Sequence, residues 1–448
     1  MADLAMPWGG QTLSADLPAG WTVQQTATPS LPSARADWRD HLARALANPE
    51  DSLPLGKLLA ARRGGRVVVI VEDMTRHSPL EDILRVIFRE LSFAKIEPGS
   101  VEIIFATGMH PPMTPDQAAQ KLGAELARTY RWRCNDAKNI DAQQSLGEVT
   151  VDGGRLAVAI DKAVADADLR ILVTSVSPHL QAGFGGGYKM LVPGCAQLAT
   201  IRQLHLSGAP RRGLQQVGQP SEFNRMRRLI DAAGQAVDAR WGKSFGVQYL
   251  LDDADQISAV AAGDVAACQR MLAKQCASGC GVIVDSPADV VITNACPRDF
   301  DLWQSFKSIA NTAWAARDNG VIICTARCPA GANMPTFSLP ISPAWVRRLI
   351  RWAGASTLAG LLSRLVPQLA GDAAFFVRLA CQVFGRNMVY VVSPKLVETG
   401  HRMLGLTIFA TLDEAFAAAE AHLGGGPKRV IVFPQGGISY PLMRRWSD

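Results

Sequence analysis

The feature that most constrains the fold is a short, continuous apolar run that leads through a loop into a helical segment. Residues 66–71 read Arg-Val-Val-Val-Ile-Val, and the loop 72–79 follows them. Residues 101–105 and the loop 106–113 repeat this order, and a Thr-Pro-Asp-Gln helix start follows at Thr114. Strands without polar alternation are covered on both faces, as in parallel sheets. The sequence therefore predicts an α/β fold.

A second set of apolar runs begins near residue 281 and predicts a second α/β domain. We expect an N-terminal domain, 1–272, that carries the loops with chemistry, and a C-terminal domain, 273–448, that adds substrate-binding residues. Small-molecule sites form preferentially at domain interfaces, so we expect a ligand crevice between the two.

The charge balance gives little support to a nucleic-acid partner. The chain has 46 basic and 40 acidic residues, and its short arginine clusters are typical of solvated helix faces rather than a phosphate-tracking stripe. Nucleic-acid binding would predict a steeply salt-dependent affinity, and we expect none. The clusters are Arg211-Arg212, Arg225–Arg228 and Arg347-Arg348.

No secretory signal and no uncharged apolar run of membrane-spanning length is visible, so we expect a cytoplasmic protein without a membrane partner. Nine cysteines, an odd number, fit a reducing compartment, and no disulfide is assigned. Cys276/Cys280 and Cys324/Cys328 have a spacing that a zinc site could use. The alternative, which we prefer, is that these cysteines are small buried apolar residues.

A glycine-rich loop after the predicted strand 169–175 is the centre of the predicted site. It runs from His179 through Gly185, Gly186 and Gly187 to Lys189. Glycines let backbone N–H groups approach a ligand, and a helix start beyond them would favour a phosphate beside the lysine. The alternative is a purely structural turn, because the loop lacks the Gly-Lys-Ser/Thr ending of a P-loop.

Three of the seven histidines, His110, His179 and His205, lie in or next to loops that follow strands. Because ligands bind at the carboxyl edge of such sheets, we expect the loops 72–79, 106–113 and 177–189 to converge. Two histidines on opposite sides of a substrate could serve both faces of one carbon. Structural histidines are the alternative.

Two further groups could bind an anionic substrate. Asp73, Thr75 and Arg76 share one loop, where Arg76 could bind a carboxylate or phosphate, or close the turn as a local ion pair with Asp73. Gln304 and Lys307 lie three residues apart on a predicted helix and so share a face, although such spacing is common on surfaces. Trp303 could line a pocket or belong to the core.

Four segments together resemble the nickel-dependent lactate racemase family. They are Asp73–Arg76, Ala106–Thr114, His179–Lys189 with Pro193-Gly194 and His205, and Asp301–Lys307.

The resemblance implies a 2-hydroxy acid racemase or epimerase with a nickel-pincer nucleotide (pyridinium-3-thioamide-5-thiocarboxylic acid mononucleotide). It implies that Lys189 tethers this cofactor and that His205 binds the nickel. His110 and His179 would be the acid/base pair, and hydride would pass to and from the cofactor through a 2-keto acid. Separate proteins would make the cofactor.

The remaining roles follow from the same resemblance. Asp73, Thr75 and the three loop glycines would hold the cofactor, and Arg76, Gln304, Lys307 and Trp303 would bind the substrate. This chain departs from the usual pattern at His77, at the Gly185–Tyr188 stretch and at Trp303, which indicates a 2-hydroxy acid larger than or different from lactate. A non-catalytic nucleotide- or phosphate-binding protein is the alternative function.

Overall fold

A computed structural model describes residues 4–208, 216–252, 254–333, 341–365 and 374–443. The chain divides into two compact units. One comprises residues 31–208 and 219–277, here the cofactor-loop unit. The other comprises residues 1–30, 209–218 and 278–448, here the second unit.

The helices and strands as far as Ser207 are, in chain order, β1 (Leu4–Trp8), β2 (Gln11–Ala15), β3 (Trp21–Thr26), α1 (Trp38–Ala47), α2 (Leu55–Ala60), β4 (Val67–Val71), α3 (Leu80–Phe93), β5 (Val101–Phe105), α4 (Pro115–Leu122), α5 (Ala124–Thr129), β6 (Arg131–Cys134), β7 (Gln143–Val151), β8 (Gly154–Asp161), α6 (Lys162–Ala165), β9 (Leu169–Ser175), β10 (Pro178–His179), β11 (Gly183–Phe184) and α7 (Leu198–Ser207).

The later elements are α8 (Arg225–Trp241), β12 (Phe245–Leu251), β13 (Ile257–Gly263), α9 (Val265–Cys280), β14 (Gly281–Val284), β15 (Ala288–Asn294), α10 (Leu302–Thr312), β16 (Ala316–Thr325), α11 (Pro343–Ala353), α12 (Ala355–Leu365), α13 (Ala374–Arg386), β17 (Met388–Val392), α14 (Pro394–Glu398), β18 (Leu406–Phe409), α15 (Leu412–Leu423), β19 (Lys428–Phe433) and β20 (Tyr440–Met443). Short 3-10 helices span Pro98–Ser100, Ile140–Ala142, Gly187–Met190 and Ala313–Ala315.

The cofactor-loop unit contains a six-stranded sheet in the order β13-β12-β9-β4-β5-β6, parallel except for β13. Its central strand β4 is buried along its whole length. Val67, Val69 and Val71 pack in one hydrophobic cluster, and Val68 and Ile70 pack in another. This alternation is the two-residue period of a strand with both faces covered.

The strand order of this sheet reverses between β4 and β9. From β4 the chain proceeds through β5 to β6 on one side, and from β9 through β12 to β13 on the other. At such a point the loops that leave neighbouring strands lie side by side at the carboxyl edge, which is where open α/β sheets bind ligands. The loops after β4, β5 and β9 are the three that the sequence predicted to converge.

The second unit contains a six-stranded, fully parallel sheet in the order β18-β17-β16-β15-β19-β3. Strand β3 comes from the N-terminal segment of this unit, and Leu4, Met6 and Trp21 pack in the same hydrophobic cluster as Val290 and Ile292. The predicted domains, 1–272 and 273–448, differ from these units at residues 1–30, 209–218 and 273–277. The N-terminal segment was not predicted to contain strands, because β1 to β3 are short and β2 and β3 carry many polar side chains.

Most predicted elements are confirmed, including the α/β class. The strands 101–105 and 169–175 have the predicted bounds. A capping box at Thr114 starts α4 as predicted: its hydroxyl accepts from the Gln117 backbone N–H, and the Gln117 side chain accepts from the Thr114 backbone.

The arginine clusters differ from the prediction of solvated helix faces. Arg227 on α8 is fully buried and Arg347 on α11 is buried. Both guanidinium groups find internal acceptors, which a sequence pattern does not reveal: Arg227 faces backbone carbonyls and Arg347 donates to Asn319. The Arg211-Arg212 cluster lies outside the described residues.

Candidate active site

A pocket opens at the carboxyl edge of the sheet in the cofactor-loop unit. All three predicted loops contribute to its lining, which confirms that they converge. The residues of the predicted site that line it are Asp73, Thr75, Arg76, His110, Gly185, Gly186, Lys189 and His205.

An aspartate–histidine pair lies on one side of this pocket. The Nδ1 of His110 is 2.6 Å from Oδ2 of Asp73, while the other oxygen of Asp73 accepts from the backbone N–H and the hydroxyl of Thr75. Although burial acts in the opposite direction, the hydrogen bond and charge of His110 hold the pKa of the Asp73 carboxyl well below its usual value. Asp73 is therefore ionised and holds the proton of His110 on Nδ1, so the neutral ring has its lone pair on Nε2. Asp73 pairs with His110 rather than closing the turn with Arg76.

A second carboxylate, Glu72, directly precedes Asp73 in the chain and was not predicted from the sequence. It is buried and accepts hydrogen bonds from the Thr174 hydroxyl, the Ser175 N–H and hydroxyl, the Ser78 hydroxyl and the Tyr249 hydroxyl. These bonds join β9, β12 and the loop after β4. The only sequence signal was its place beside Asp73 at the end of a buried strand.

Lys121 of α4 fixes the outer part of the same loop. Its ammonium donates to the backbone carbonyls of Arg76 and Ser78 and to the Ser78 hydroxyl. Burial lowers the pKa of Lys121. The backbone that carries Arg76 is therefore held from two sides, by Lys121 and by the bonds to Glu72.

The glycine loop leads into the 3-10 helix Gly187–Met190 rather than into an α-helix. The expected α-helix dipole beside Lys189 is therefore absent, because α7 starts only at Leu198. Gly186 has a positive φ of 76°, and a Cβ there would lie 2.7 Å from a methyl group of Val176. Glycine is required at this position by both backbone and packing.

Three buried polar side chains form hydrogen bonds to the backbone of the glycine loop. Arg227 donates to the carbonyls of residues 184, 185 and 186, and Gln269 donates to that of Gly185. The N–H of Gly187 donates to the side chain of Gln248 and is therefore not available to a ligand. Gly187 does not line the pocket. None of these three side chains was predicted, because each lies on an element remote in sequence.

Lys189 projects into the pocket with an unusually acidic ammonium group. Burial, together with the nearby charges of Arg76 and Arg227, lowers its pKa to about 7. Among the described residues, its amine forms no hydrogen bond. A lysine in this state is an available nucleophile near neutral pH.

His179 differs from the other predicted site residues because it does not line this pocket within the described part of the chain. It lies on β10, and its Nδ1 accepts from the backbone N–H groups of Gln181 and Ala182. The neutral ring therefore carries its proton on Nε2, the opposite tautomer to that of His110.

The three predicted residues of α10 belong to the second unit. Lys307 donates to the side-chain oxygen of Gln304 at 2.6 Å, which confirms that they share a helix face. The Asp301 carboxylate caps the helix by accepting from the Gln304 N–H. Trp303 stacks on Phe376 with ring centroids 3.7 Å apart.

The zinc alternative receives no support from the described residues, which include all four cysteines concerned. No group of three or more potential metal-binding side chains occurs among them. Within the same residues, no helix has both the length and the apolar character needed to cross a bilayer.

The chain is similar in sequence to lactate racemases. Residues 8–214 match the model of the lactate racemase N-terminal domain. The chain is 28% identical over 337 residues to a lactate racemase from Thermoanaerobacterium thermosaccharolyticum, covering 74% of this chain and 76% of that protein. A lactate racemase from Lactiplantibacillus plantarum is 24% identical over 457 aligned positions, covering 97% and 99% of the two chains. The chain is thus similar to lactate racemases over most of its length.

Solved structures support the same fold. The lactate racemase apoprotein from T. thermosaccharolyticum matches with a TM-score of 0.81 at 23% identity, covering 98% of this chain and 100% of that one. A Thermotoga maritima protein matches with a TM-score of 0.62 at 16% identity, covering 91% and 98%. The family similarity supports a racemase function, and the resemblance seen in the sequence is confirmed.

Proposed function

We propose that this chain is a racemase or epimerase that inverts the α-carbon of a 2-hydroxy acid and that works with a nickel-pincer nucleotide tethered at Lys189. The observation that carries the proposal is the grouping of an ionised Asp73–His110 pair, the low-pKa Lys189 and His205 in one pocket. Sequence similarity to lactate racemases supports the racemase activity.

The pocket residues fit such a cofactor. Covalent attachment through nitrogen needs a neutral amine without a competing partner. With a pKa of about 7, the Lys189 amine is partly neutral near neutral pH, and it forms no hydrogen bond with the described residues. A single imidazole, from His205, is a suitable protein ligand for nickel when the nucleotide supplies the other donors. Gly185 and Gly186 leave the wall beside Lys189 without side chains. When bound, the cofactor would supply reversible hydride acceptance at the substrate α-carbon.

The two histidines are the proposed acid/base pair. The lone pair on Nε2 of His110 can take the proton of the substrate 2-hydroxyl, and the adjacent Asp73 carboxylate stabilises the imidazolium that forms. His179 would supply a proton on the other face, a role that requires its imidazolium form, because a neutral ring that lost its Nε2 proton would become an imidazolate. In the opposite direction of the reaction the two roles exchange.

Arg76 is the proposed carboxylate-binding group in the pocket. Its guanidinium is positioned by bonds to the Thr75 carbonyl and hydroxyl, and Thr75 is itself bonded to Asp73. Substrate orientation and the acid/base pair are thus linked through one short loop. We also propose that Gln304, Lys307 and Trp303 take part in substrate binding, as the family resemblance implies.

The decisive experiment compares protein made with and without the cofactor-synthesis proteins. In the first sample only, we expect an increase in intact mass that maps to Lys189. We also expect only that sample to convert single enantiomers of 2-hydroxy acids to mixtures, as measured by chiral chromatography. Equal mass and equal activity in both samples would contradict the covalent cofactor.

Substitution of the histidines tests their roles. His110→Asn and His179→Asn should each retain the added mass and lose most of the activity, about 10²-fold or more for a general acid or base. His41→Asn, a substitution of a surface histidine on α1, is the matched control. Retention of full activity in His179→Asn would remove this residue from the mechanism.

A further inference from the structure

Helix α11 turns large apolar side chains toward solvent. Trp345 is 54% exposed and Trp352 is 84% exposed, and the exposed Arg348 lies between them. Positions three and seven residues apart share one helix face. The opposite side buries Ile350 and Arg347. Packing alone does not explain this orientation, because it exposes tryptophan and buries an arginine.

Helix α12 follows after Gly354 and has the same character. Leu361 is 49% exposed and Leu365 is 69% exposed, and the exposed Arg364 is next to Leu365. Its inner side buries Leu358 and Ala359. Two consecutive helices therefore each combine an outward apolar pair with an outward arginine.

The charge of this region is strongly one-sided. Residues 341–386 contain six arginines, at 347, 348, 351, 364, 378 and 386, and a single acidic residue at 372. Arg351 pairs with Asp318, whereas Arg348 and Arg364 have no ion-pair partner among the described residues. The exposed surface of α11 and α12 is thus apolar and cationic.

We propose that α11 and α12 attach this protein to the surface of an anionic lipid bilayer, in place of the expectation from the sequence that it has no membrane partner. Interfacial helices combine tryptophan and leucine, which enter the headgroup and acyl boundary, with arginines that contact lipid phosphates. Tryptophan prefers this boundary because its ring is amphipathic. The binding is peripheral, since neither helix is long enough to span a bilayer.

Charge favours a lipid surface over a second copy of the chain. A symmetric contact through this surface would bring the arginines of one copy near those of the other. Such like-charge contact is unfavourable, whereas anionic headgroups complement it. The proposal does not depend on the cofactor or on the proposed reaction.

Sedimentation with vesicles tests the proposal. We expect the full-length protein to sediment with vesicles of phosphatidylcholine mixed with phosphatidylglycerol, to stay in solution with phosphatidylcholine alone, and to be released by high salt. Brominated lipids should quench its tryptophan fluorescence. Trp345→Ser combined with Trp352→Ser should abolish the quenching and most of the binding. Arg348→Gln should weaken binding about five-fold, as expected for one basic residue at an anionic surface.

Matched variants outside the surface provide controls. Phe93→Ser removes an aromatic side chain that is 72% exposed on α3, and Arg128→Gln removes an exposed charge on α5. Both should bind like the unaltered protein, and unchanged unfolding temperatures would show that all variants fold. No sedimentation with anionic vesicles, or sedimentation that the tryptophan variant leaves intact, would overturn the proposal. Self-association that the tryptophan variant abolishes, without lipid binding, would assign the surface to a second copy.

Discussion

The amine of Lys189 should react with acylating reagents near neutral pH in the cofactor-free protein. Burial, reinforced by Arg76 and Arg227, lowers its pKa to about 7. An ordinary lysine, with a pKa of about 10.4, is neutral in only about 0.04% of molecules at pH 7. Lys189 should be about half neutral there, an excess on the order of 10³.

The sign of the effect follows from the charge of the ammonium form. Below pH 7 the amine is protonated and unreactive, and above pH 7 it is neutral and reactive. Between pH 7 and the ordinary lysine pKa the unfolded chain binds more protons than the folded chain at this position, so this group makes folding more favourable as pH rises through that window.

Trace acetylation over a range of pH measures this pKa directly. Peptide mass spectrometry gives the labelling rate at Lys189 and, in the same sample, at the surface residue Lys138. The rate at Lys189 should rise with a midpoint near pH 7. Limited access of the reagent to the pocket lowers the labelling rate by the same factor at every pH, so it does not move the midpoint.

Arg76 provides a charge test of the same reasoning. Arg76→Gln removes the largest positive neighbour and should lift the midpoint by about one pH unit, whereas Arg76→Lys keeps the charge and should leave it nearly unchanged. A midpoint near pH 10 in the unaltered protein would refute the argument. An equal midpoint in the Gln and Lys variants would refute the role of charge.

Three further substitutions test the scaffold of the site. Asp73→Asn should lower the turnover number of the cofactor-loaded enzyme about 10²- to 10⁴-fold with little change in KM. The reason is that His110 loses the carboxylate that fixes its tautomer. A change confined to KM would contradict this. Arg227→Met should cost about 3–5 kcal/mol and lower the unfolding midpoint, since it removes the buried cation that pairs with Asp231 and donates to the Phe184 carbonyl; an unchanged midpoint would show that water replaces it. Thr114→Ala should cost about 1 kcal/mol of stability and leave Lys189 labelling unchanged, because the capping box lies outside the pocket.

The sequence was most informative where local chemistry determines the structure. The continuous apolar runs predicted the central strands, and the Thr114 cap predicted a helix start to the residue. The convergence of three loops also followed from local patterns, because parallel strands present their carboxyl ends at one edge. No long-range information was needed for these steps.

The sequence was least informative where distant segments meet. Strand β3 joins the sheet of the second unit by pairing with β19, which lies near the opposite end of the chain, and neither strand encodes that choice locally. The buried Arg227 shares its cluster with exposed residues, so no pattern marks it as internal. On α11 the sequence shows tryptophans and arginines, but only the packing reveals that the tryptophans face outward.

The position of Glu72 gives the proposed acid/base pair a fixed scaffold. Its five accepted hydrogen bonds tie the loop after β4 to β9 and β12, so the adjacent Asp73 is presented from a rigid base. The Asp73 carboxylate then orients the more exposed His110. In the proposed mechanism His110 exchanges the proton outside the buried carboxylates, which keeps the cost of the changing charge low.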